Sequence, residues 1–166
     1  IIQNSTGAGV LVLGNDGTYN TPSYGNRISR NSFSGNGGPA IDWVSPWSDN
    51  NSGDGISLND GNSSVAEAVN RGIDFPVIAN ASHAGSLVTI NGTAPANSTV
   101  ELYRATPGAG DTSGANNYGE GTQYLGSVTA DASGNWSVSL SDLSIGDSVT
   151  ALALDAADNT SEFSLN

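Results

Sequence analysis

Phe33-Ser-Gly-Asn-Gly-Gly-Pro-Ala-Ile41 lies over Ile2-Gln-Asn-Ser-Thr-Gly-Ala-Gly-Val10 without a gap, 31 residues apart. Each copy has an apolar residue, a polar and glycine-rich stretch, and a second apolar residue eight positions on. Between them, Asn26-Arg-Ile28-Ser-Arg-Asn31-Ser-Phe33 sets Ile28 and Phe33 among polar residues bracketed by Asn. One rung of a solenoid reads this way: short strands stack on equivalent strands, and Asn or Gly turns the corners. The stretch from Gly14 to Gly25 carries the extra length, as a turn-rich loop extruded from the rung.

Composition agrees with a β chain and excludes several functions. The 166 residues hold 22 Gly, no Cys and no Met, with abundant Ser, Thr and Asn. Gly costs about 1 kcal/mol per helical position relative to Ala, and Ser and Asn compete for backbone groups. Four basic residues against 16 acidic ones give a net charge of −12. A nucleic-acid partner is not expected, because almost nothing is present to displace counterions from phosphates. Anionic lipid is disfavoured for the same reason, and no apolar run approaches the roughly 20 residues that span a bilayer. Without Cys there are no disulfides or thiolate sites, and the single His83 leaves no two-histidine metal site.

From Pro76 onward, short apolar segments alternate with turns at the spacing of a sandwich. They are Leu87–Ile90, Thr99–Tyr103, Gln123–Val128, Trp136–Leu140 and Ser148–Leu154; Val77-Ile78 and Ser161–Leu165 bring the expected strands to seven. Asp131-Ala-Ser-Gly-Asn135 reads as a hairpin turn, after which Trp136, Val138 and Leu140 fall on one face. Residues 45–75 are turn-forming and acidic, with room for one helical turn at Val65–Val69 and a surface loop at Asn80–Gly85 around His83.

Several stretches resemble two known families. Gly25-Asn-Arg-Ile-Ser-Arg-Asn-Ser-Phe-Ser-Gly-Asn-Gly-Gly-Pro-Ala-Ile-Asp42 resembles the last coils of right-handed parallel β-helix repeat proteins of the bacterial surface. Asn59-Asp60 and Asp74-Phe-Pro-Val77 resemble the junction after such coils. Thr129 to Leu140 and Ala151 to Ser164 resemble the immunoglobulin-like repeats of bacterial adhesins and biofilm proteins. That family closes on Asp-x-x-Gly-Asn-x-Ser; here the phrase is Asp155-Ala-Ala-Asp158-Asn-Thr-Ser, with Asp in place of Gly. The implied fold is all-β: terminal β-helix coils over 1–44, an acidic junction over 45–75, and an immunoglobulin-like β-sandwich over 76–166.

Calcium is the cofactor this composition suggests, since it takes 6–8 oxygens from Asp, Asn, backbone carbonyls and water. The candidate ligands are Asp49, Asn51 and Asp54, then Asn59 and Asp60 with Asn62, then Asp155 and Asp158. The alternative for each is an Asx turn on a solubilising acidic surface. Trp43 and Trp47 follow Asp42 and are candidates for stacking on a glycan; the alternative is apolar bulk that plugs the end of a solenoid. For catalysis the first repeats offer Asp16, Asp42, Arg27 and Arg30 without Lys or His, where lyases and epimerases of the resembled fold need a base. No catalytic residue is expected.

The expected function is a non-enzymatic structural or adhesin-type module of an extracellular, cell-surface protein, calcium-stabilised. The competing expectation is a carbohydrate-active piece, either a lyase- or epimerase-type helix end or a glycan-binding module. At Ile1-Ile2 an open strand edge is expected to meet further coils of a longer protein or a neighbouring subunit in a filament. Surface glycans are the other partner class.

Overall fold

A computed structural model describes residues 1–14, 23–44, 53–62, 68–106, 112–113 and 116–166. The chain is almost wholly β. The repeat seen in the sequence is realised as strand pairing. Strand β1 (Ile2–Gln3) runs parallel to β3 (Phe33–Ser34), with Ile2 opposite Phe33. Strand β2 (Val10–Leu13) runs parallel to β4 (Ile41–Val44), with Val10 opposite Ile41 and Leu13 opposite Val44. Every pair is offset by 31 residues, and Gly9, Gly37 and Gly38 let the two copies approach closely between the strands. A Cβ on Gly37 would fall on the carbonyl oxygen of Thr6, and the Gly37 N–H donates to Ser5 O at 2.9 Å.

The rest of the chain forms two three-stranded antiparallel sheets and a short hairpin. Strands β5 (Val77–Ala84), β6 (Leu87–Thr93) and β11 (Asn135–Leu140) make one sheet in the order β11-β6-β5. Strands β7 (Thr99–Thr106), β10 (Glu120–Thr129) and β12 (Ser148–Leu154) make the other, in the order β10-β7-β12. Strands β8 (Thr112–Ser113) and β9 (Asn116–Asn117) pair with each other. The expected turn forms, with Asp131 Oδ1 accepting from the N–H groups of Ser133 and Asn135, both at 2.8 Å, but it is not a hairpin: β10 and β11 lie in different sheets, so the turn carries the chain from one layer to the other. Trp136 and Leu140 are buried and Val138 is half-buried, on one face, while the residues between them point outward.

Strand β7 explains the layering. Val100 and Leu102 face the β11-β6-β5 sheet, in a cluster with Ile90, Trp136, Leu140 and Ala151. Tyr103 points the other way, into a second cluster built from Phe33, Ile41, Trp43, Val69, Ile73, Leu152 and Phe163. The β10-β7-β12 sheet is therefore buried on both faces, with the parallel pairs packed on one side and the second antiparallel sheet on the other. Tyr103 sits edge-on to both Phe163 and Tyr124, with ring centroids 5.2 and 5.6 Å apart. Edge-on aromatic pairs of this kind favour burial in a defined orientation.

Three local expectations differ from the structure. His83 lies within the exposed strand β5 instead of a loop, because the chain turns at Gly85 (φ +64°) and pairs back from Leu87. The helical turn falls at Val69–Gly72 as a 3-10 turn; residues 63–67, where most of the expected turn lies, are outside the described residues. Ser161–Leu165 is not a sheet strand. It runs along β12, with Ser161 Oγ accepting from the Ala153 N–H and Ser164 Oγ from the Ala151 N–H, at 2.8 and 2.9 Å. Serine hydroxyls there stand in for ladder carbonyls, and β12 is left without a bare edge.

Candidate functional site

The open edge of a strand must find hydrogen-bond partners when it is buried. In the second repeat those partners are side chains from the antiparallel part of the chain. Glu120 accepts from the Gly35 N–H at 2.5 Å and the Asn36 N–H at 3.0 Å, and from the Asn36 side-chain amide. Glu162 accepts from the Trp43 N–H at 2.8 Å and the Ser57 N–H at 2.6 Å. Glu101 accepts from the Ser29 hydroxyl, the Arg30 N–H and the Tyr103 hydroxyl at 2.7, 3.1 and 2.5 Å. Thr160 Oγ1 takes the Ile28 N–H at 2.8 Å, and Asn159 Oδ1 takes the Gly25 N–H at 2.7 Å. All three glutamates are about 1% exposed. They close the outer edge of the second repeat, whereas β1 and β2 pair on one side only among the described residues.

The sequence reading missed these glutamates. A signal existed in Thr99-Val-Glu-Leu-Tyr103, where an acid stands mid-strand on the face that carries Tyr103. An ionisable group placed there needs a partner at hand if that face is covered.

Four of the candidate residues named above come together. Trp43, Asp54, Asn59 and Asp60 line one cavity of about 220 Å³, with Ser57, Leu58, Val69, Ile73 and Asp74 around them. Trp43 is 8% exposed and belongs to the apolar cluster, so its ring faces offer little surface for stacking. Asn59 is clamped to Phe75: its Nδ2 donates to the Phe75 carbonyl and its Oδ1 accepts from the Phe75 N–H, both at 2.8 Å. Asp74 holds the N–H groups of Asp60 and Gly61 at 3.1 and 3.0 Å, and Asp60 Oδ1 accepts from the Asn62 N–H at 2.8 Å.

The other candidates lie elsewhere. Asp155 Oδ1 accepts from the N–H groups of Ala157 and Asn159, and its Oδ2 from the Asn159 side-chain amide, closing the turn after β12. Asp158 pairs with Arg27 at 2.6 Å, both side chains about half exposed. Its φ is +63°, so the position that carries Gly in the resembled family is one where left-handed backbone is required. Asp49, Asn51, Trp47 and Asp16 are outside the described residues. Among the described residues no three acidic or histidine side chains converge as a metal group.

Beside the cavity, Asp42 and Glu162 form the most perturbed acidic pair. Burial pushes the Asp42 carboxyl up to about 6, with repulsion from Asp54 adding to it and the Gly55 N–H opposing it. Burial pushes Glu162 up to about 8, against the lowering effect of the Trp43 and Ser57 N–H groups and with repulsion from Asp42. Such pairs are candidates for acid–base chemistry when substrate can reach them. Both residues are about 1% exposed and Asp42 Oδ1 has no hydrogen-bond partner among the described residues, so the pair sits under the surface. No protein-family model matches the chain.

Proposed function

We propose that the chain is a non-enzymatic structural module of an extracellular surface protein, of adhesin type. In this reading the two stacked repeats are the last coils of a right-handed parallel β-helix, and the antiparallel layers are an immunoglobulin-like sandwich that terminates it. One observation carries the reading. The 31-residue parallel register has its outer edge closed by Glu101, Glu120 and Glu162, while among the described residues no strand pairs with the other edge of β1 and β2. Alternate N–H groups of a parallel strand point to opposite sides, so those of Leu11 and Leu13 face that open edge. The inaccessibility of Asp42 and Glu162 supports a role without catalysis. Of the calcium candidates among the described residues, Asn59, Asp60 and Asp155 hold turns, Asp158 holds Arg27, and Asp54 lines the cavity beside Trp43.

The test is a chain in which residues 1–31 are duplicated ahead of Ile1. Under this reading the added copy stacks in register and raises the urea midpoint, because it covers Ile1 and Leu13, which are 88% and 44% exposed. An added copy that stays unprotected from amide exchange, with an unchanged midpoint, rejects it. The glycan-binding reading rests on the cavity beside Trp43. Its rim of Asp54, Asp60 and Asp74 suits neutral sugars and repels uronates, so a glycan array with neutral hits lost in a variant of the exposed cavity residue Leu58, Leu58→Ala, would favour it.

A further inference from the structure

The edge of a β-strand recruits a further strand unless charge, proline or a cover blocks it. Most edges in this chain are blocked. Ser161 and Ser164 line β12, three glutamates line the second repeat, and β10 lies against β3 and β11. Among the described residues β5 pairs with β6 alone, so its other edge is open. Its residues, Val77-Ile-Ala-Asn-Ala-Ser-His-Ala84, include no acid, Lys, Arg or Pro, in a chain of net charge −12. All but Ile78 are exposed. The register shifts between Ile78 and Asn80, so the bulge at Ala79 confines the regular edge to residues 80–84.

Beside this edge lies a cavity of about 270 Å³, walled by Ile78, Ala81, Val88, Leu143, Ser144 and Val149. Ile145, next in the chain to that wall, is 86% exposed. Its exposure is fixed by a closed turn. Asp147 Oδ2 accepts from the Ser144 N–H at 2.8 Å, and the Asp147 N–H donates to Ser144 O at 3.1 Å. Gly146 supplies the φ of +96° that this turn needs after Ile145. Asp147, also on the cavity wall, pairs with Arg104, so the wall carries no unpaired charge from it. A branched aliphatic side chain is thus held in water beside an apolar cavity: a knob next to a hole.

We propose that two copies of this chain associate through β5, antiparallel about a two-fold axis near Ala81 and Ser82, with each Ile145 seated in the cavity of the other copy. The two β11-β6-β5 sheets then join into one sheet across the axis. A two-fold interface must be self-complementary, and an uncharged strand beside an adjoining knob and hole meets that condition. Because Ala81 lies both on the strand and on the cavity wall, pairing there brings the two cavities to the axis. An unrelated extended peptide would pair with β5 equally well but would leave Ile145 in water, which favours the second copy as the occupant. This goes beyond the structural reading above and stands whether or not that reading holds, since it uses neither parallel repeat.

The experiment is sedimentation of the whole chain from micromolar to millimolar concentration, in about 0.15 M salt to screen the two net charges. A monomer–dimer equilibrium is expected. Ser82→Glu sets like charges across the axis and Ile145→Asp puts a charge into the cavity, so each should raise the dissociation constant by at least about tenfold. Both side chains are exposed, so neither change removes a core contact. Amide exchange of the unaltered protein gives a second reading that needs no variant. Amides within residues 80–84 should slow at high concentration, while those of Leu11 and Leu13 should not. The proposal is overturned by a monomer at every concentration, by a dimer that both variants leave intact, or by unchanged exchange in β5. Slowing at Leu11 and Leu13 in place of β5 also overturns it, because the contact would then belong to the parallel repeats.

Discussion

Glu120 binds Asn36 at both its backbone and its side-chain amide, across 84 residues of sequence. The same carboxylate takes the Gly35 N–H, so one side chain of the antiparallel part terminates the edge of β3. Glu120→Ala leaves the part-buried Gly35 N–H and the buried Asn36 N–H without this acceptor. Each such loss costs about 1–3 kcal/mol, so urea denaturation should show destabilisation of about 2–6 kcal/mol. Glu120→Gln keeps an acceptor and should cost clearly less.

Acidification should stabilise the metal-free protein. Glu162 is raised from 4.5 to about 8 and Asp42 from 3.8 to about 6. A raised carboxyl pKa means that the folded state holds the proton more tightly. This stabilisation is full below the unfolded-state pKa and is lost as pH rises through the folded one. One pH unit of displacement is about 1.4 kcal/mol, so between pH 5 and 8 stability should fall by a few kcal/mol. Urea midpoints across that range check it, and Glu162→Gln should flatten the slope. Asp131 and Asp147 run the other way, held low chiefly by the backbone N–H groups of Asn135 and Ser144. Their contribution is lost below about pH 4, so stability should pass through a maximum on the acid side.

Gly37→Ala and Gly55→Ala should separate close packing from backbone conformation. A Cβ at Gly37 meets the backbone of Thr6 in the other repeat. Overpacking of that kind costs about 1–3 kcal/mol, and a backbone contact puts it at the upper end. Gly55 has open space but φ +93°, so Ala there should cost about 1 kcal/mol through strain alone. Thermal unfolding of the two variants orders them.

Asp158→Gly should be close to neutral. Glycine relieves a left-handed residue of about 1 kcal/mol, while the exposed pair with Arg27 contributes about 0–1 kcal/mol. A change in unfolding free energy beyond about 1 kcal/mol in either direction would show that one of these two effects is misjudged.

What was legible in the sequence was local or periodic. The 31-residue offset was carried by apolar residues at the repeat ends and small residues between them, and β2 and β4 pair at that offset. Trp136, Val138 and Leu140 alternate as a strand facing one core must. Glu101 shows where the reading ran out. Alternation in β7 reads as Val100 and Leu102 inward and Glu101 and Tyr103 outward, and nothing local says that Phe33 and Phe163 cover the outward face. Ser161 and Ser164 were read as strand residues, yet they bond to β12 through hydroxyls, an arrangement with no periodic signature. Of the candidate site, Trp43, Asp54, Asn59 and Asp60 were named from composition. Their meeting in one cavity depends on the Asn59–Phe75 clamp between two loops, which spacing does not encode.

The central claim is that the parallel repeats and the antiparallel sheets are one cooperative unit, joined through the doubly buried β10-β7-β12 sheet and its glutamates. Native-state amide exchange at pH 6 under rising denaturant tests it most directly. The account predicts that the Val12 and Trp43 amides merge with those of Leu102 and Ala151 at a single global opening free energy. Exchange of Val12 and Trp43 at a markedly lower free energy, while Leu102 and Ala151 stay protected, would contradict it.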